Sequence, residues 1–371
     1  MLALSLLFWG VYNLSFKSPT PSDALKNTPP AVTLDKNSAA STDLIGKISA
    51  VSKEAVLAPT LSADGASLNY FSPQSGQVMQ ADFYGNIQKT LAEKNISGLV
   101  DAFWSVDKLK AIIKIAPTSD APYFAFYDLS AQTIAPLKNN LDQVTWQTNA
   151  NRILYKFYDA QSQERTLNIS DPDGSHWTKI ADIPYKNISV AQVPRTGLVS
   201  FWNSGDAYQK TSFQVTPIIG GGSKILDATS FGSDYLWSPS GDRILVSHTN
   251  AIGGGEMQLG VMNANGGEYK NLGVPTFASK CVWGKDGVTV FYALPGGIPD
   301  NAVLPNDYKT GKFKTADTFW KVNIKTGEKT RLVEIADIAG QYDASQLFLN
   351  QSESLLFFVN KLDNKLYKIA L

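Results

Sequence analysis

Residues 235–247 read Y-L-W-S-P-S-G-D-R-I-L-V-S: an apolar strand ending in Trp237, a tight turn, and a second apolar strand from Ile244. One such hairpin says little. Degenerate copies recur along the chain, however, ending their first strands at Leu61, Trp104, Trp146, Gln192, Trp237, Trp283 and Leu349. The spacing is 42–46 residues until a longer last step of 66, a period that belongs to propellers, solenoids and arrays.

Each copy continues alike. A second strand follows the turn, as at 66–71, 153–157, 244–246, 288–292 and 355–359; then come a loop, a third strand and a polar hairpin such as Asp171-Pro172-Asp173-Gly174 or Asn263-Ala264-Asn265-Gly266. A short fourth strand closes the unit, as at 88–91, 178–180, 224–226 and 330–333. Four antiparallel strands repeated radially make a β-propeller blade. The seventh unit runs out of chain after a third strand at 366–371, and residues 44–51 precede the first unit with the look of a fourth strand. Pairing the two closes the ring and leaves no open sheet edge. The expected fold is therefore all-β, a seven-bladed propeller over 43–371 closed by its N-terminal strand.

W-S-P-S-G-D-R-I-L-V-S and W-G-K-D-G-V-T-V-F-Y resemble the repeat of TolB-type propellers, found also in the propeller domains of prolyl oligopeptidase and dipeptidyl peptidase relatives. The resemblance implies a propeller fold and an extracytoplasmic habit. Its repeat is structural and supplies no catalytic residue.

Ahead of the repeat, residues 1–16 carry no charged side chain and Lys17 closes the run. As a helix it spans roughly 24 Å, the expectation for a retained membrane anchor. Residues 17–42, with Pro19, Pro21, Pro29 and Pro30 among small polar residues, lack the apolar content to offset ordering entropy and read as a flexible linker. That layout places the propeller outside the cytoplasm, in the periplasm or at the cell surface.

Lys+Arg and Asp+Glu both number 33 in 371 residues, so no net field favours nucleic acid. Cys281 is the single cysteine and excludes an internal disulfide; beside Trp283 it reads as a buried thiol. His176 and His248 are the only histidines, too few for a three-His zinc site. No G-x-S-x-G elbow occurs. Gly220–Gly222 and Gly253–Gly255 fit no phosphate-binding spacing, and Asp64-Gly65, Asp286-Gly287 and Ser240-Gly241 read as turn chemistry. The tryptophan series reads as blade-to-blade packing. No catalytic residue, metal site or cofactor is assigned.

Departures from the repeat are more informative. The sixth unit carries an insertion, residues 294–315, between its second and third strands, and the fifth a smaller one, 248–256. Both emerge on one face of a propeller, and long loops carry function. Asp300, Asn306, Asp307, Tyr308, Lys309, Lys312, His248 and Glu256 are the candidate binding residues; a structural flap is the alternative. The leading expectation is a non-enzymatic binding or scaffold propeller, monomeric, contacting a protein or a cell-envelope polymer. A polysaccharide lyase or glycosidase working at the channel mouth, and a structural surface protein, are the alternatives.

Overall fold

Every first strand of the repeat ends where the sequence places it. A computed structural model describes residues 47–249 and 251–371, and its first strands are Leu57–Leu61, Leu99–Trp104, Leu141–Trp146, Ile188–Gln192, Phe231–Trp237, Cys281–Trp283 and Ala344–Leu349. Each opens an antiparallel four-stranded sheet, and seven such sheets are present. The fold is an all-β propeller of seven blades. First strands of most adjacent blades approach one another, the first and seventh included, so they line the central channel.

The register explains why the repeat is so regular. After the first strand, a serine organises the turn: Ser238 Oγ donates to Asp242 at 2.9 Å and accepts from Arg243 N at 3.1 Å, while Gly241 takes a φ of 75°. Ser62 and Ser105 repeat the arrangement, each accepting from a backbone N–H five residues on at 3.0 Å. Such side-chain bonds satisfy turn backbone that has no ladder partner. Asp173, Asn263 and Asp286 likewise bond to nearby turn backbone at 2.8–3.0 Å.

Successive residues of a strand face opposite sides of their blade. In blade 5, Ile244 and Val246 enter the cluster shared with blade 4, whereas Leu245 enters the one shared with blade 6. Seven apolar clusters of this kind fill the seven seams. The core is thus distributed between sheets, with each buried large side chain contributing about 1.5–3 kcal/mol. Tryptophans pin the seams as well. Trp104 Nε1 donates to Ala58 O at 2.7 Å, Trp146 to Phe103 O at 2.7 Å, Trp237 to Ser200 Oγ at 2.9 Å and Trp283 to Leu236 O at 3.2 Å, always into the preceding blade.

Ile48–Ala50 lies beside Lys365–Ala370, with Ile48 opposite Ile369 and Ala50 opposite Tyr367, and Val51 joins the apolar cluster shared by blades 7 and 1. Residues 44–46 of the expected strand, the anchor at 1–16 and the linker at 17–42 lie outside the described residues. Among the described residues no helix is long and apolar enough to cross a membrane.

One fourth strand differs from the sequence reading. In blade 6 it is Lys329–Arg331; of the residues expected inside it, Leu332 keeps one bond to Phe319 O at 2.9 Å, and both Leu332 and Val333 pack in the seam with blade 7.

Candidate binding face

The connections between second and third strands in blades 4, 5 and 6 meet on one face. In blade 6 the connection runs from Leu294 to Thr318. Its neck is fixed by backbone bonds between Gly296 and Ala316 at 3.1 and 2.8 Å. A Cβ on Gly296 would stand 2.7 Å from Ala316 O, which is why a glycine sits there. Beyond the neck the chain makes a one-turn helix, Asn306–Lys309. Asp307 Oδ2 accepts from Val303 N at 2.9 Å, and Lys312 Nζ bonds its Oδ1 at 2.6 Å. The Lys312 ammonium and these bonds hold the Asp307 carboxyl below its ordinary range.

Underneath lies a small core of its own. Leu304 and Tyr308 pack with Met257 of the blade 5 loop and with Phe277, which precedes blade 6; the Phe277 and Tyr308 rings stack at 4.6 Å. Tyr308 is therefore an inward-facing residue. Its hydroxyl donates to Asp343 Oδ1 at 2.6 Å and accepts from Lys361 Nζ at 2.9 Å. Burial, then the neighbouring Asp343, pushes its phenol up.

Polar bonds tie the insertion to blade 4. Asn306 Oδ1 accepts from Ala207 N at 2.9 Å, and Lys309 Nζ donates to Gly205 O at 2.8 Å. Burial lowers the Lys309 ammonium, against the pull of Asp234 and Asp206. The blade 5 loop is wedged between the two: Gly253 N donates to Ala207 O at 2.8 Å, and a Cβ on Gly254 would stand 2.7 Å from Leu304 O. On the outer surface Tyr208 is 56% exposed and Ile252 66% exposed. The Tyr208 ring stands over Gly253, 3.8 Å from where a Cβ would be, next in the chain to Ile252. Asp300, Glu256 and Lys312 are exposed on the same loops.

His248 sits elsewhere. It is buried, with Nε2 2.8 Å from Tyr269 Oη, on a cavity of about 380 Å³ between blades 4 and 5 that Asp227 and Met262 also line. Sequence reasoning therefore drew Asn306, Asp307, Tyr308, Lys309 and Lys312 from one connected loop. It missed Tyr208 and Ile252, exposed on loops that meet only in the fold.

It also missed the charges below. Lys280, 1% exposed in its side chain, bonds Asp317 Oδ2 at 2.6 Å and Asp343 Oδ1 at 2.8 Å, both carboxylates being fully buried. A lysine directly ahead of an apolar inner strand is the signal the sequence held.

The channel itself has a cavity of about 510 Å³ where blades 7, 1 and 2 meet, lined by Asp101, Trp104, Lys108 and Gln346 among others. Burial raises the Asp101 carboxyl. Cys281 is buried, with its Sγ 3.3 Å from Phe277 O, and burial pushes its thiol up. Among the described residues no three His, Cys, Asp or Glu side chains gather as a metal site.

A seven-bladed β-propeller with one face capped by interlocked loops is the class that fold and site define. No protein-family model and no curated protein sequence matches the chain. Solved structures do. An oligogalacturonate lyase in complex with manganese is similar over 88% of this chain and 94% of its own, with 11% identity and a TM-score of 0.64. The β-propeller domain of the trilobed protease from Pyrococcus furiosus is similar over 85% and 95%, with 11% identity and a TM-score of 0.57. TolB from Acinetobacter baumannii is a looser likeness, covering 79% and 65% at 14% identity and a TM-score of 0.47. Structural neighbours thus include TolB and other propellers.

Proposed function

We propose that this chain is a non-enzymatic binding and scaffold propeller, anchored by residues 1–16 with its propeller outside the cytoplasm, whose capped face contacts a protein or a cell-envelope polymer. The carrying observation is the platform formed by the loops of blades 4, 5 and 6. Its loops are already packed and bonded to one another, and they leave Tyr208 and Ile252 exposed, with Asp300, Glu256 and Lys312 exposed on the same loops. A preorganised apolar centre with a charged rim suits macromolecular recognition, because little ordering entropy remains to be lost on binding. Ile48–Ala50 serves in this reading as the latch of the ring, keeping the platform's foundation closed. The test is capture from an envelope extract of the producing cell with the full chain as bait, beside a glycan array. Retention of neither a protein nor a glycan would overturn the reading.

A second reading has one observation in its favour. The channel cavity combines a carboxyl raised by burial, Asp101, with Trp104 and Lys108, and a similar propeller is an oligogalacturonate lyase. A carboxyl raised by burial beside an aromatic surface suits work on a sugar polymer. Among the described residues no His, Cys, Asp or Glu cluster fits the manganese of that neighbour, so no step through a metal is assigned. Oligogalacturonate cleavage by the full chain, abolished by Asp101→Asn, would support an enzyme over a scaffold. A structural surface role is what remains if neither binding nor cleavage is found.

A further inference from the structure

The Lys280 cluster is a costly object for a scaffold. One ammonium and two carboxylates lie in the interior, and an ion cluster of this kind rarely stabilises more than apolar side chains of the same volume. Lys280 Nζ is fully engaged, reaching Thr315 Oγ1 at 3.2 Å and Ala344 O at 2.9 Å besides the two carboxylates. The carboxylates are not: Asp317 Oδ1 and Asp343 Oδ2 are buried without a hydrogen-bond partner. Orphaned buried oxygens of charged groups carry a full desolvation penalty. The surroundings are apolar and aromatic, with the Tyr308 ring 5.1 Å from Lys280 Nζ and buried Phe319 and Ala344 on the adjoining strands.

We propose that Lys280 and Asp317 form an intramolecular isopeptide bond, with Asp343 as the proton relay. The geometry assigns the roles. Asp317 is the carbonyl partner: its Oδ2 accepts from Lys280 Nζ at 2.6 Å and from Ala344 N at 2.7 Å. Asp343 is the relay, since its Oδ1 touches both the amine and the Tyr308 hydroxyl. Burial raises the Asp317 carboxyl in spite of Lys280, favouring its neutral form. Burial acts the same way on Asp343, but the bonds from Lys280 and Tyr308 outweigh it and keep that group ionised. Environments that push two carboxyls apart divide acid and base roles between them.

The atoms balance without a co-reactant. One ammonium proton passes to Asp317, leaving a neutral amine beside a neutral carboxylic acid. Nζ attacks Cγ of Asp317 and the N–C bond forms. Asp343 takes a proton from the nitrogen and returns it to the departing hydroxyl, which leaves as water as the C–O bond breaks. Asp343 ends ionised and the nitrogen keeps one hydrogen, an amide. Fixed neighbours in a dry site supply the effective concentration such a step needs. The product removes both charges of the Lys280–Asp317 pair and staples the foot of the insertion to the strand that opens blade 6.

Digestion of the purified full chain with trypsin tests this without any variant. The bonded protein loses cleavage after Lys280 and yields peptide 271–285 joined to peptide 315–321, one water lighter than their sum. Asp317→Ala and Asp343→Asn are each expected to restore cleavage after Lys280 and abolish the joined species. A wild-type chain that gives only the separate peptides after prolonged incubation overturns the proposal, as does a join from Lys280 to Asp343.

Discussion

The indole N–H of Trp237 donates to Ser200 Oγ at 2.9 Å across the seam between blades 5 and 4. Ser200 is fully buried and passes its own proton to Ala191 O at 2.8 Å, so the tryptophan completes a chain of bonds in the interior. Trp237→Phe leaves that hydroxyl short of a donor and opens space beside it. A loss of about 1–3 kcal/mol is expected, read as a lower urea midpoint, while Trp177→Phe, at an exposed turn, should stay within about 0.5 kcal/mol.

Gly232 lies in a bulge of the first strand of blade 5 with a φ of 64°, and a Cβ there would stand 2.5 Å from Cδ of Pro305. Gly232→Ala therefore combines left-handed strain with a clash against the insertion. It should cost about 1–3 kcal/mol, and limited proteolysis should cut within 295–317 faster than in the wild type. Unchanged proteolysis would show that the insertion does not rest on this glycine.

Turn carboxylates set the acid limit. Bonds from Ser62 hold Asp64, and bonds from Ser240 and Ser238 hold Asp242, below the ordinary carboxylate value of 3.8. The unfolded chain then takes up protons more readily than the folded one. The stability these groups contribute is full above that value and is lost as pH falls through their folded values. Melting temperature against pH should decline in this acid window, and the decline should be shallower in an Asp64→Asn, Asp242→Asn double variant.

Removing residues 1–51 exposes the third strand of blade 7, Lys365–Ala370, as an open edge, and takes Val51 from the seam with blade 1. A lower melting temperature and concentration-dependent association are expected, because an unpaired edge templates further pairing. Removing residues 1–42 should do neither.

The scaffold was legible in the sequence because each blade repeats one local chemistry: an apolar strand, a serine or glycine turn, and a second strand alternating between two seams. Even the degenerate copies at Gln192 and Leu349 end their strands in register with the tryptophan copies. The candidate face was legible only as an irregular length of chain. Nothing local marks Tyr308 as an inward residue, since its partners Phe277, Asp343 and Lys361 come from separate segments. Lys280, Asp317 and Asp343 are likewise brought together by the packing of blade 7 against blade 6, and a charged residue before an inner strand looks like any solvated residue until its neighbours are known.

Tyr208 and Ile252 give the most direct test of the proposed function. Each is changed to Asp, alone and together, and capture of the partner by the full chain is measured against Trp177→Ser, a control in a turn on the opposite side of its blade. The binding account expects the paired change to reduce capture at least about tenfold, the loss of about 1.4 kcal/mol or more, with the melting temperature and the control unaffected. Equal capture by wild type and the paired variant, or loss in the control alone, would contradict it.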